Sequence, residues 1–233
     1  RQLDDVNKLK NVFALRHAKN AYELRTAMKG RQNAIVIGGG YIGLEVAASL
    51  TTAGINVDVI EMTERVLARV ASPNISAFFA NLHENHDVRI HTGAIKQEIL
   101  QKDGAFSGIQ LNDDRIIDAE LLLVGIGVLP DLGFAADAGL TTGDGIVVDG
   151  MMQSSVEDIF AIGDVALVDG AMSRIESVDN AQNTAARAAA AICGLSQPPK
   201  MAPWFWSEQF DARLQSAGIV PQEAAASQYI VRP

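Results

Sequence analysis

Hydrophobic positions fall in short blocks separated by glycine, proline and charge. Asn33–Ile37 is a β-branched run of the kind that forms a buried strand, and Gly38–Gly43 is rich in glycine. Leu44–Ala53 has helical composition and Gly54 stops it, while Asn56–Glu61 alternates toward a second buried strand. Together these segments predict a β-turn-α-β unit of about 30 residues, half of a nucleotide-binding sheet. Upstream, the apolar patch Val12-Phe13-Ala14-Leu15 precedes a helix expected over Asn20–Lys29, with Gly30 as its stop. Downstream, Pro73 introduces a helix expected over Asn74–Asn85, and residues 89–118 read as short strands turning at Lys102-Asp103-Gly104 and Asn112-Asp113-Asp114. Leu121–Gly125 is a continuous apolar strand, as in the centre of a parallel sheet. A short helix over Gly133–Gly139, strands at Ile146–Val148 and Ile159–Ile162, and an alanine-rich helix over Asn180–Cys193 follow. Ser196-Gln197-Pro198-Pro199 reads as a linker, after which Trp204-Phe205-Trp206 opens a segment of different character.

Composition narrows the class. In 233 residues, 48% hydrophobic and 20% charged side chains describe a globular chain with a sizeable core. No apolar run reaches the roughly 18 residues of a membrane span, and no signal-peptide pattern is visible. A net charge of −9 without a Lys/Arg cluster argues against a nucleic-acid partner. The one cysteine, Cys193, leaves no internal disulfide and fits a cytoplasmic setting; beside Gly194 at a helix end, it is expected to be buried and inert. A start at Arg1 without Met and an end at Val231-Arg232-Pro233 in apparent mid-strand predict a piece of a longer protein.

The glycine segment carries the clearest chemistry. Gly38-Gly39-Gly40-Tyr41-Ile42-Gly43 fits G-x-G-x-x-G, following a strand and opening a helix. Gly38 permits the tight turn, Gly40 lets backbone approach a pyrophosphate, and Gly43 lets the helix pack closely on its strand. The helix-start N–H groups and the helix dipole then hold phosphates. Glu61, ending the second strand, can accept hydrogen bonds from both ribose hydroxyls of NAD(H), and its charge would repel a 2′-phosphate, so NADH is expected over NADPH. Arg65 could reach such a phosphate, but is expected to pair with Glu61 or cover the adenine. Glu45, on spacing alone, reads equally as a solvent-facing helical position.

Beyond these motifs, the chain resembles the flavin-dependent ferredoxin reductases that serve cytochrome P450 systems and ring-hydroxylating dioxygenases. The resemblance rests on Leu15-Arg16, Ile37–Ala48, Gly125–Pro130, Ile159–Val165, Arg174–Val178 with Asn180-Ala181, and Pro203–Gln209. It implies an α/β fold with a Rossmann-like NAD(P)-binding domain, built on a three-layer nucleotide-binding sheet and inserted in a partial FAD-binding domain. The implied division is 1–30 and 148–197 for FAD, 31–147 for NAD(H), and 198–233 for the start of a C-terminal interface domain. The implied cofactors are FAD and NAD(H), with the FAD pyrophosphate site lying before Arg1. Asp164 would bond the FAD ribityl chain; as a strand-end carboxylate beside glycine it can receive sugar hydroxyls on physical grounds too. Val178, through its backbone and with Glu176 and Ser177 nearby, would meet the isoalloxazine; otherwise Ser177 is an ordinary helix N-cap. Arg16 would reach FAD, Trp206 would stand beside the flavin, Glu45 near the nicotinamide, and Gly127 in a second NAD-contacting loop. Departures are His17 where threonine is usual, a short turn between Asp164 and Arg174, and His86-Asp87 where a glycine is common.

The implied activity is transfer of electrons from NADH through FAD to a 2Fe-2S ferredoxin. That chemistry belongs to the flavin and needs no acid–base triad, and no catalytic side chain is nominated. Other functions stay open: a disulfide reductase or NADH oxidase of the same superfamily, or a non-catalytic NADH-binding or sensing module. His83, His86 and His91 are close in sequence, but His83 and His86 are expected to be ordinary exposed residues near a helix end and no metal is expected. No membrane association is expected, and the oligomeric state is not readable.

Overall fold

The computed structural model describes residues 9–219. The expectations about both chain ends lie outside them. Among these residues two compact units emerge, one comprising 9–127 with 207–213, the other 128–206 with 214–219. Their division falls after Gly127.

The first unit is built on a five-stranded parallel sheet. Its strands are β1 (Val12–Phe13), β2 (Asn33–Ile37), β3 (Asn56–Ile60), β4 (Arg89–His91) and β8 (Leu121–Val124), in the order β1-β8-β2-β3-β4. Helix α1 (Ala18–Ala27) links β1 to β2, α2 (Tyr41–Thr52) links β2 to β3, and α3 (Pro73–Glu84) links β3 to β4. A three-stranded antiparallel meander, β5 (Lys96–Lys102), β6 (Ala105–Leu111) and β7 (Ile116–Asp118), precedes β8. The expected turns fall where the aspartates can take left-handed backbone, Asp103 at φ +53° and Asp114 at φ +65°.

The period-2 alternation of β2 explains the layering. Ile35 joins Ile60, Leu122, Phe106, Ile109 and Leu111 in one core, so the meander covers one face of the parallel sheet. Val36 points the other way, toward α2. The unit is therefore three layers: helix, parallel sheet, meander.

Asp58 is the one charged residue among the described buried positions, and it is bonded accordingly. Arg89 reaches it through Nε at 2.8 Å and Nη2 at 2.6 Å, and His91 Nε2 lies 2.8 Å away. Burial by itself would raise this carboxyl; the His91 and Arg89 hydrogen bonds outweigh burial and hold it below the usual aspartate range.

The second unit contains α4 (Gly133–Asp137), the paired parallel strands β9 (Ile146–Val148) and β10 (Ala166–Val168), a 3-10 turn at Gly163–Val165, and α5 (Val178–Ile192). Leu140, Ile146, Val148, Met152 and Ala188 are among its core residues. Ile159–Ile162 is not the expected strand. Left-handed Asp158 and Gly163 bracket it, and Phe160 forms only an isolated bridge with Gln153. Cys193 also departs from expectation: it caps α5 and is exposed. A hairpin, β11 (Trp204–Gln209) with β12 (Ala212–Ala217), completes the described chain; its tip, 207–213, belongs to the first unit.

Candidate functional site: the glycine turn and the carboxylate beside it

Register sets the site. Ile37 pairs with Ile60 on one side and Val124 on the other, so β2, β3 and β8 end level. The loops leaving them meet at the carboxyl edge of the sheet, where α/β proteins bind ligands. Gly38 donates to the Ile60 carbonyl (2.8 Å) and Gly125 to the Ile37 carbonyl (2.8 Å).

Two glycines are required by backbone. Gly38 has φ +105°, and a Cβ there would overlap the Gly125 carbonyl. At Gly43 a Cβ would overlap the Gly38 carbonyl oxygen, which is why helix and strand can approach so closely. Gly39 is enclosed by Val66 and Glu61, whose nearest atoms would stand 2.9 and 3.2 Å from an added Cβ. Gly40 differs, because an added Cβ would meet nothing within 4 Å. That open side lies at the N-cap of α2. Gly40 offers no side-chain cap, and the first turn has no acidic residue. Of the motif's other members, Ile42 is 53% exposed, and Tyr41 is half-buried, which raises its phenol.

Glu61 turns into this crevice. Its Oε2 accepts from the Gly39 N–H at 2.7 Å, and its Oε1 accepts from the Thr63 N–H at 2.7 Å. The Thr63 hydroxyl has one proton to share between Glu61 Oε1 (2.7 Å) and the Arg65 carbonyl (2.9 Å). An ionised carboxylate has about four lone-pair positions, so Glu61 can take a further donor.

Arg65 does not pair with Glu61. Its guanidinium donates to the Ala71 carbonyl (2.8 Å), the Ser76 hydroxyl (2.6 Å) and the Ala68 carbonyl (2.9 Å), bracing the loop between β3 and α3. Leu67 ties the same loop to the turn by donating to the Gly39 carbonyl (2.8 Å). Arg69, passed over in the sequence, lies 3.6 Å from where a Cβ on Gly127 would stand, and Gly127 itself needs its glycine at φ +99°.

Glu45 faces solvent only in part. It is half-buried and its Oε1 accepts from the Ser207 hydroxyl at 2.6 Å. His83, too, departs from expectation: it is fully buried, with Nε2 2.9 Å from Gln209 Oε1. Ser207 and Gln209 escaped notice, although period-2 alternation in β11 puts both on one face, and polar residues on an inward face were the available signal. His86 stacks on Phe210 at 3.8 Å, and no group of metal-ligating side chains occurs among the described residues.

The remaining nominated residues have other surroundings. Arg16 is exposed after β1, its N–H donating to Asn20 Oδ1 (3.2 Å). In the second unit, Asp164 is exposed in the 3-10 turn, and Glu176 pairs with Arg174 at 2.9 Å. Val178 is 55% exposed at the first turn of α5, and Trp206 stacks on Trp204 at 4.9 Å.

Comparison with known proteins decides the family: the pyridine nucleotide-disulphide oxidoreductases match residues 2–185. The chain belongs to that family. Among curated relatives, the ferredoxin reductase subunit of 5,5'-dehydrodivanillate O-demethylase from Sphingobium sp. is 40% identical over 217 residues, covering 90% of this chain and 52% of its own. A ferredoxin reductase for the CYP199A2 system from Rhodopseudomonas palustris superposes with a TM-score of 0.86 at 40% identity, covering 91% of this chain and 53% of its own. The covalent putidaredoxin reductase–putidaredoxin complex gives 0.88 at 36% identity, covering 92% and 53%. The chain thus spans about half the length of the relatives it matches. No described helix is long and apolar enough to cross a membrane.

Proposed function

We propose that the protein is an NADH-dependent, FAD-containing reductase that delivers electrons to a 2Fe-2S ferredoxin serving a P450 or ring-hydroxylating dioxygenase. The relatives named ferredoxin reductase support the class. Bound FAD would take up hydride from NADH and release electrons singly, and the protein orients the partners.

The residues of the glycine turn fit the dinucleotide. The open side of Gly40 and the uncapped start of α2 would receive the diphosphate. Glu61 would accept the adenosine ribose hydroxyls, and Arg69 beside Gly127 offers a cation at the other lip of the crevice. For FAD, the exposed Asp164 and Val178, with Glu176, Arg16 and Trp206, are the residues we assign, within flanking parts at 1–30 and 148–197. The NAD(H) part is assigned to 31–147 and the interface part to 198–233.

The observation that carries the coenzyme reading is Glu61, held 2.7 Å from Gly39 with its charge in the crevice, while three N–H donors of Arg65 are engaged elsewhere. A 2′-phosphate would meet a carboxylate with no guanidinium from Arg65 to offset it. Steady-state reduction of cytochrome c with added ferredoxin should give kcat/KM at least about tenfold higher with NADH than with NADPH, a difference of about 1.4 kcal/mol. Glu61→Gln should narrow that ratio. A preference for NADPH in the unsubstituted protein would overturn the reading.

A further inference from the structure

The hairpin tip sets a buried polar chain against helix α2. Ser207 is 1% exposed, and Gln209 and His83 are 0% exposed. Polar groups so buried are costly unless bonded, and here the bonds form one line. Gln209 Oε1 can only accept, so the His83 ring proton sits on Nε2, 2.9 Å away. Gln209 Nε2 donates to Ser207 Oγ at 3.0 Å. Ser207 directs its single hydroxyl proton to Glu45 Oε1 at 2.6 Å, a short charge-assisted bond. Every donor in the chain points toward Glu45.

The direction is set by the carboxylate at its end. If the Gln209 amide turned over, its NH2 would confront His83 Nε2–H, and its oxygen would draw the Ser207 proton off Glu45. Glu45 resists that, because a carboxylate only accepts: Ser207 must donate to it and take its own bond from the Gln209 NH2. Burial also holds the imidazole below its ordinary range, opposed by the Gln209 bond and helped by nearby His86, so the ring stays neutral. Phe210 closes over it at 5.0 Å. At the near end, Glu45 is half-buried, and Ser207 holds one of its two oxygens.

We infer that Ser207, Gln209 and His83 are positioning residues that fix the Glu45 carboxylate, so that its second oxygen, Oε2, is presented to a hydrogen-bond donor on the bound dinucleotide. The inference rests on the proposed binding of NADH at α2 and on the expectation that Glu45 stands near its nicotinamide. Ser207 acts only through Glu45, and Gln209 and His83 act through Ser207.

The test uses the intact flavoprotein and a double-mutant cycle read by NADH dissociation constants. Glu45→Gln and Ser207→Ala should each weaken NADH about tenfold, and the double variant should be no weaker than either alone. Gln209→Met should lose less, and Ser207→Thr, which keeps the hydroxyl, should recover most of the affinity. Multiplying losses, or an unchanged Ser207→Ala, would overturn the inference. The 15N spectrum of His83 in the unsubstituted protein needs no variant. A neutral ring protonated at Nε2 is expected, and protonation at Nδ1 would overturn the chain whatever the protein binds. NADH bound with an additive cycle sinks this inference alone, whereas no NADH binding by the unsubstituted protein sinks the dinucleotide reading and this inference with it.

Discussion

Helices α2 and α5 solve the same problem in opposite ways. The first N–H groups of any helix lack intrahelical acceptors. In α5, Ser177 supplies one, its hydroxyl oxygen accepting from the Asn180 N–H at 3.1 Å, and Asp179 adds a negative charge to the first turn. Helix α3 starts similarly, with Ser72 accepting from Ile75 and Pro73 at the first helical position. Helix α2 has glycine at its N-cap, no side-chain acceptor and no acid in its first turn. The space beside Gly40 is empty of protein atoms within 4 Å. A helix start that supplies its own acceptor is complete as folded. One that omits it leaves its first N–H groups open to an acceptor from outside the chain, and the neighbouring glycines keep that space open.

The sharpest way to break this comparison is at Gly43. An added Cβ would overlap the Gly38 carbonyl, so Gly43→Ala should cost about 3 kcal/mol of stability, the upper end for overpacking. Denaturant unfolding measures it; a loss under about 1 kcal/mol would mean the turn relaxes, and that close packing does not define it. Gly40→Asp comes next and separates stability from binding. Gly40 has φ −80° and an extended ψ, a conformation aspartate adopts freely. The new carboxylate should cap α2 and leave stability equal or a few tenths of a kcal/mol higher. It would also occupy and repel the phosphate position, weakening NADH by about tenfold or more. Unchanged NADH affinity would show that the uncapped start serves nothing.

The glycine turn was legible in the sequence because its signals are local. Strand, turn, helix and Glu61 lie within one β-turn-α-β unit, and hard-sphere contacts fix each glycine almost independently of the rest. What stayed hidden depended on distant partners. Arg65 turns from Glu61 because the backbone carbonyls of Ala68 and Ala71 come within reach only once α3 has placed their loop. His83 is buried because a hairpin 126 positions away covers it with Gln209 and Phe210. Cys193 is expected to be buried at the end of an alanine-rich helix, yet apolar composition does not say which face of a helix end meets solvent. Ile159–Ile162 has strand composition without a ladder to join.

The smallest expected effect tests the other half of the comparison. Ser177→Ala removes the acceptor for the Asn180 N–H and should destabilise the protein by about 1 kcal/mol, the usual cost of losing a serine N-cap. The loss stays modest because a second bond survives, from Asn180 Nδ2 to the Ile175 carbonyl at 2.8 Å, and Asp179 keeps its favourable charge at the helix start. A denaturant midpoint lowered with unchanged slope is the expected signature, together with an unaltered NADH dissociation constant. If NADH affinity fell alongside stability, the start of α5 would also be open to the coenzyme, and the contrast between a self-capped helix and an anion-receiving one would fail. If stability did not move, Asn180 and Asp179 would suffice to hold the turn, and the serine cap of α5 would be redundant.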